Sequence, residues 1–127
     1  MKLHLQNTQG LNVITGYNAD HVQVNGVRHD RPLLLGPNVG PLDWSGQSFD
    51  TLTANDFEAI LAHDPELVLL GTGRRLRFPA PALTRGFAGA RIGFEAMDTS
   101  AACRTYNILM GEGRRVVAAL LFDRDPQ

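Results

Sequence analysis

The chain has 127 residues, with 12 Lys and Arg against 13 Asp and Glu and a formal net charge of −1. This length suits one domain that buries its core without metals or disulfides, and the balanced charge offers no general attraction to nucleic acid or anionic lipid. We therefore expect a single domain over residues 1–127, with no nucleic-acid partner.

The compartment follows from the cysteine count and the N-terminus. The single cysteine, Cys103, cannot form an intramolecular disulfide, and the segment MKLHLQNTQG lacks the apolar core of a signal peptide. No stretch approaches the roughly 20 apolar residues that span a bilayer. These features predict a cytoplasmic protein that does not insert into the membrane.

The first third of the chain has the pattern of short β-strands. Residues 12–17, 21–24 and 27–29 are rich in β-formers, and Asn25-Gly26 between the last two is a strong two-residue hairpin signal. We expect an N-terminal antiparallel β unit.

An irregular loop is expected next. The apolar run at 33–35 leads into prolines and glycines between 32 and 41, which predict a rigid loop ending near Trp44. Trp44 is interpreted as an anchor over the core edge, with a partner contact as the alternative.

From Thr53 onward, helices and strands alternate. Thr53 and Asp56 form a capping-box-like helix start, and Asp64-Pro65 ends that helix. The remaining elements are predicted as strands at 66–70, 92–97 and 115–122 and helices at about 80–88 and 100–110. This order predicts an α/β domain of three layers around a central mixed sheet, with frayed ends at 1–10 and 123–127.

One candidate site lies at an edge of this sheet. If the strands at 66–70 and 92–97 are parallel, their carboxyl ends bring two loops together, where open α/β sheets bind ligands. The candidate anion-binding residues are Gly71, Gly73, Arg74, Arg75, Asp98 and Thr99. The alternative is that the glycines serve only a tight turn, because GTGRRLRF lacks the third glycine of a dinucleotide fingerprint.

The helix at 100–110 carries the second candidate site. A step of about 100° per residue gathers Cys103, Arg104 and Asn107 on one side, a candidate recognition face. The opposite side, expected to pack inward, has Ala101, Ala102, Thr105, Tyr106, Ile108 and Leu109. Alternatively, this is a solvated face, or Arg104 folds back to pair with Asp98 or Glu112.

No catalytic, metal or cofactor site is predicted. Cys103 near a helix start could act as a nucleophile, but the four histidines all lie in the first half of the chain and none has a motif relation to it. One cysteine and scattered histidines give no metal-ligand spacing. We therefore name no catalytic residue, metal or cofactor.

Several segments carry a family likeness. LLLGPNVGPLDW, ELVLLGTG, Pro79 and above all MDTSAACRTYNILMGEGRRVVAALL resemble a small single-domain α/β family that includes mitochondrial respiratory complex I assembly factor 3 and an adipogenesis-associated domain protein. The chain is similar to the bacterial hypothetical proteins of that family. The resemblance implies a three-layer fold and no established catalytic residues, and for the mitochondrial member a binding role with a partner assembly factor.

Two hypotheses of function follow. The first is a non-enzymatic protein-binding or assembly-factor-like module whose recognition surface combines Arg104, Asn107 and Cys103 with the loop at 71–77. It has an unidentified protein partner, and self-association as a homodimer is left open. The second is a small-molecule or anion-binding site at the sheet edge formed by the loops at 71–77 and 97–100, with enzymatic activity left open.

Overall fold

A computed structural model of the chain describes residues 9–123. The expected frayed ends at 1–10 and 123–127 lie outside the described residues, apart from positions 9, 10 and 123. The elements in chain order are β1 (Ile14–Tyr17), β2 (Val22–Val24), β3 (Val27–His29), β4 (Leu33–Gly36), β5 (Val39–Asp43), a 3-10 turn (Phe49–Thr51), α1 (Ala54–Leu61), β6 (Leu67–Thr72), α2 (Pro81–Gly89), β7 (Gly93–Met97), α3 (Thr99–Gly111) and β8 (Val116–Leu121).

Five strands form the central sheet in the order β5-β4-β8-β6-β7. β6 runs parallel to both β7 and β8, whereas β4 runs antiparallel to β5 and β8. The sheet is therefore mixed, as the alternation of helices and strands predicts. None of the helices within residues 9–123 is long and apolar enough to cross a membrane.

The N-terminal β unit is a separate three-stranded antiparallel sheet, in the order β1-β2-β3. Its second hairpin turns at Asn25 and Gly26, which have φ values of 49° and 85°. Both positions lie in the left-handed region, where asparagine and glycine are favoured. The Asn-Gly signal thus predicts this turn correctly.

Two apolar clusters, one on each face of the central sheet, create the three layers. On one face, α3 and the small sheet pack together against the central strands. On the other, α1 and α2 pack over alternate residues of the same strands. In β8, for example, Val116 belongs to the first cluster and Val117 to the second, because successive side chains of a strand point to opposite faces. The α/β expectation is confirmed.

The prediction of an irregular loop after residue 35 is wrong. The chain instead folds back as a hairpin, with β5 paired to β4 from Leu33↔Asp43 to Gly36↔Val39. β5 is an edge strand, where the missing N–H of Pro41 is tolerated. The Asn12 side chain secures the turn by donating to the carbonyl oxygens of Gly36, Val39 and Gly40 at 2.9–3.1 Å.

The start of α1 and its tryptophan anchor are as predicted. Thr53 Oγ1 accepts from the backbone N–H of Asp56 at 3.3 Å, and Asp56 Oδ2 accepts from that of Thr53 at 2.9 Å. Trp44 is 4% exposed, and its Nε1 donates to the backbone oxygen of Asp56 at 2.8 Å. Its ring meets Phe57 edge-on at 5.9 Å. Trp44 therefore anchors the segment that enters α1.

Candidate functional site

The sheet edge predicted from the two parallel strands exists. β6 and β7 are in register from Leu67↔Gly93 to Gly71↔Met97, which brings the loop after β6 beside the start of α3. Thr99 joins the two: its hydroxyl accepts from the N–H of Gly73 at 2.8 Å and donates to the carbonyl oxygen of Leu121 at 2.6 Å. The structure thus brings together the six residues of the candidate anion site.

These residues are engaged in holding the edge together. A Cβ on Gly71 would lie 2.9 Å from Leu120 Cδ2 and 3.0 Å from Thr99 Oγ1, so Gly71 allows α3 to approach β6 closely. Gly73 has φ +95°, and the Asp123 carboxylate occupies the space beside it. The same carboxylate accepts from the backbone N–H of Arg74 at 2.7 Å. The backbone N–H groups of Gly73 and Arg74 therefore already bind side chains of this chain.

Asp98 has a local role at the same edge. Its Oδ1 accepts from the backbone N–H of Ala101 at 2.9 Å, so Asp98 is the N-cap of α3. The prediction of a capped helix start is therefore confirmed, with the helix beginning at Thr99 rather than at residue 100.

The predicted orientation of α3 is wrong for two of its three outward residues. Cys103 is fully buried in the cluster that contains Ile14, whereas Ile108, expected in the core, is 61% exposed. Asn107 bonds to the backbone of β1. The physical reason is that α3 lies between the central sheet and the small sheet, so two of its sides are covered. The sequence analysis expected only one covered side of α3.

Arg104 is the member of this face that stays exposed, and it forms no ion pair with Asp98 or Glu112. It shares the outer ridge of α3 with Ile108, one turn further on. Arg104 and Ile108 therefore form a small surface of their own, away from Cys103.

The burial of Cys103 also bears on its chemistry. Burial raises the pKa of the Cys103 thiol to about 12, an effect that the nearby charge of Arg104 only partly offsets. A thiol of this pKa is protonated at neutral pH and is a poor nucleophile. Within residues 9–123, no group of three or more His, Cys, Asp or Glu side chains is placed to hold a metal ion.

A different part of the edge stands out from the surface. The 74–78 loop, with the sequence RRLRF, exposes 49% of Leu76 and 74% of Phe78. Leu76 and Phe78 lie two residues apart in this loop, and both apolar side chains are exposed. Phe78 precedes Pro79, which favours extended backbone at that position.

The loop is held in place from beneath. The Thr72 hydroxyl donates to the carbonyl oxygen of Arg75 at 2.6 Å and accepts from the N–H of Arg77 at 3.2 Å. The Arg77 guanidinium lies 4.5 Å from the centre of the Phe49 ring, and its Nη1 is 3.9 Å from the Asp50 carboxylate. These contacts fix the backbone while Leu76 and Phe78 stay in solvent. The sequence analysis included Leu76 only as part of the loop at 71–77 and missed Phe78, although two large apolar residues among arginines were the signal.

The family is shown by comparison with known proteins. A family model described as "Protein of unknown function (DUF498/DUF598)" matches residues 14–121. The chain belongs to this family. The bovine protein named NADH dehydrogenase [ubiquinone] 1 alpha subcomplex assembly factor 3 is 34% identical over 110 residues, covering 85% of this chain and 59% of the bovine one. The chain therefore spans about three-fifths of the length of that curated relative.

Solved structures of family members share the fold. A crystal structure of a Bordetella parapertussis protein is 41% identical, covers 91% of this chain and 98% of its own, and superposes with a TM-score of 0.85. A solution structure from Bordetella pertussis, described as a Mth938-like domain, is 36% identical, covers 98% and 94% of the two chains, and has a TM-score of 0.81. The α/β architecture is thus that of the Mth938-like domain.

Proposed function

We propose that this chain is a non-enzymatic protein-binding module of the assembly-factor kind, and that the 74–78 loop makes its main contact. The observation that carries the proposal is the exposure of Phe78 and Leu76, 74% and 49%, in a loop whose backbone is fixed by hydrogen bonds. An exposed aromatic side chain on a loop whose backbone is already ordered is typical of an interface anchor, because little backbone entropy is lost on association.

Two further features support a binding role. The bovine relative is named an assembly factor, and it is 34% identical over 110 residues. The cysteine is buried with a raised pKa, which makes it unsuited to nucleophilic catalysis. A binding role requires neither a nucleophile nor a metal.

The charges of the loop indicate the character of the partner surface. Arg75 is exposed and makes no ion pair within the described residues, and Arg77 is held over Phe49 at a distance from Asp50 that allows only a weak pairing. The complementary surface is an apolar pocket bordered by carboxylates, since arginine at an interface pairs best with such groups.

Affinity purification with quantitative mass spectrometry tests this proposal. The tagged wild-type chain is compared with a Leu76→Ser/Phe78→Ser variant, an Arg104→Ala/Ile108→Ser variant of the outer ridge of α3, and a Val27→Ser control at a position that is 59% exposed. We expect a protein that co-purifies with the wild type and both other variants to be lost with the loop variant. Loss of the partner with the α3 variant alone would show that the partner binds at Arg104 and Ile108 instead of the loop. Retention by all variants would contradict the proposal.

A further inference from the structure

A cleft of about 250 Å³ lies at the end of the central sheet opposite the 74–78 loop, where β8 begins. The pairing of β4 with β8 runs from Leu33↔Leu120 to Leu35↔Ala118 and does not extend to the first residues of β8. Those residues, Val116 and Val117, line the cleft together with Val39 of β5 and with Pro37 and Asn38 from the turn before it.

The lining of this cleft is mostly apolar. Val116 and Met110 form part of it and are themselves almost fully buried, and Leu11 and Val39 border it from the N-terminal segment and β5. An apolar concavity of this kind gains free energy when an apolar molecule displaces its water.

The rim carries three nitrogen-bearing side chains. Arg114 Nε donates to Glu66 Oε2 at 2.9 Å, and Arg115 Nε donates to the carbonyl oxygen of Asp64 at 3.1 Å. Among the described residues, neither guanidinium uses its Nη groups in a hydrogen bond, and the His63 imidazole, also on the rim, makes none. Both arginines are thus oriented through Nε while their Nη donors stay available.

We propose that this cleft binds a small apolar carboxylate, with its hydrocarbon part against the partly exposed Leu11 and Val39 and its carboxylate at the rim formed by His63, Arg114 and Arg115. Carboxylates are the groups that guanidinium donors bind best. Glu66 does not repel such a ligand strongly, because it already accepts from Arg114 Nε and from the backbone N–H of Arg115 at 3.0 Å. The site is separate from the 74–78 loop and does not depend on the protein-binding role.

The volume sets the size of the ligand. At about 30 Å³ for each group the size of a water molecule, the cleft of about 250 Å³ holds roughly eight heavy atoms. Hexanoate and benzoate are of this size. Hexanol and hexylammonium have the same chain as hexanoate without its negative charge, so they isolate the contribution of the carboxylate.

The test is a titration of the isotopically labelled chain with hexanoate, followed by amide chemical shifts. We expect saturable changes at the amides of Val39, Met110 and Val116, with hexanol and hexylammonium at least about tenfold weaker, as loss of a charged hydrogen bond implies. Arg115→Gln and His63→Gln should each weaken hexanoate by several-fold to about tenfold. Arg85→Gln, at an exposed position of α2 outside the lining of the cleft, should leave it unchanged.

Three results would overturn the proposal. The first is no saturable change with hexanoate or benzoate up to about 10 mM, a concentration at which a ligand of eight heavy atoms with ordinary efficiency is detected. The second is equal binding of hexanol and hexanoate, which would remove the role of the rim. The third is a set of shifts away from the cleft, or shifts that persist at full strength in both rim variants.

Discussion

The side-chain amide of Asn107 on α3 pairs with both backbone groups of Ile14 on β1, 93 residues earlier in the chain. Asn107 Oδ1 accepts from the N–H of Ile14 at 3.0 Å, and Asn107 Nδ2 donates to its carbonyl oxygen at 2.8 Å. The Asn107 amide thus makes the two hydrogen bonds to Ile14 that the backbone of a neighbouring strand would otherwise make. Next to it, the Tyr106 hydroxyl donates to the carbonyl oxygen of Asn12 at 2.7 Å. Together these bonds fasten the small sheet to α3.

Replacement of Asn107 should therefore destabilise the fold. Asn107→Ala leaves the partly buried backbone N–H and carbonyl oxygen of Ile14 without partners. We expect a loss of about 1–3 kcal/mol in the free energy of unfolding, measured by chemical denaturation. Arg104→Ala, one turn earlier and exposed, is the control and should change the free energy by less than about 0.5 kcal/mol. Equal effects of the two substitutions would show that the Asn107 bonds contribute little.

Gly71 should not tolerate a side chain. A Cβ there would lie 2.9 Å from Leu120 Cδ2 and 3.2 Å from Thr99 Cα, so Gly71→Ala should cost about 1–3 kcal/mol through displacement of α3 from β6. Gly89→Ala, in the last turn of α2 with nothing within 4 Å of the added Cβ, should be neutral or stabilising by up to about 1 kcal/mol. A neutral Gly71→Ala would contradict the close approach at this edge.

Cys103 should be unreactive until the protein unfolds. With a pKa raised to about 12 by burial, the thiolate fraction at pH 8 is about one in ten thousand, and the sulfur is also shielded from reagent. A disulfide reagent such as DTNB should label the native protein on the timescale of unfolding and the denatured protein at once. Fast labelling under native conditions would place Cys103 at an accessible surface.

The Glu66 carboxylate should make stability depend on pH in the acid range. Hydrogen bonds from the backbone N–H of Arg115 and from Arg114 hold the pKa of Glu66 below its usual 4.5. A carboxylate with a lowered pKa stabilises the fold above its unfolded pKa, and the contribution is lost as the pH falls through its folded pKa. The stability difference between wild type and Glu66→Gln should thus be largest near neutral pH and shrink below about pH 4.5. Glu58→Gln, at an exposed position of α1, is the control. A stability difference between wild type and Glu66→Gln that did not change with pH would contradict this role of Glu66.

The parts of the fold that depend on neighbouring residues were predictable from the sequence. The Asn25-Gly26 turn, the Thr53 cap and the Asp98 cap each rest on contacts within about four residues, and all three are present. The β4–β5 hairpin was not predictable in this way, because Asn12 holds its turn from more than twenty residues away.

Contacts between residues far apart in the sequence also explain why the predictions at the candidate sites were partly wrong. Helical periodicity separates two faces of α3, but it does not reveal that the small sheet covers the second face through Ile14 and thereby buries Cys103. Likewise, the loop at 71–77 was expected to offer groups to an anion, but the Arg74 backbone N–H donates to Asp123, 49 residues later in the chain. Nothing near Gly73 in the sequence indicates this partner.

The most direct test of the protein-binding role is site-specific photo-crosslinking in living cells, with a photoreactive phenylalanine analogue in place of Phe78. The same analogue at Val27 and at Ile108, which are 59% and 61% exposed, provides matched positions away from the loop. We expect one discrete protein adduct from position 78, abolished by Arg75→Glu, and none from the other two positions. No adduct from position 78, or the same adduct from all three positions, would contradict it.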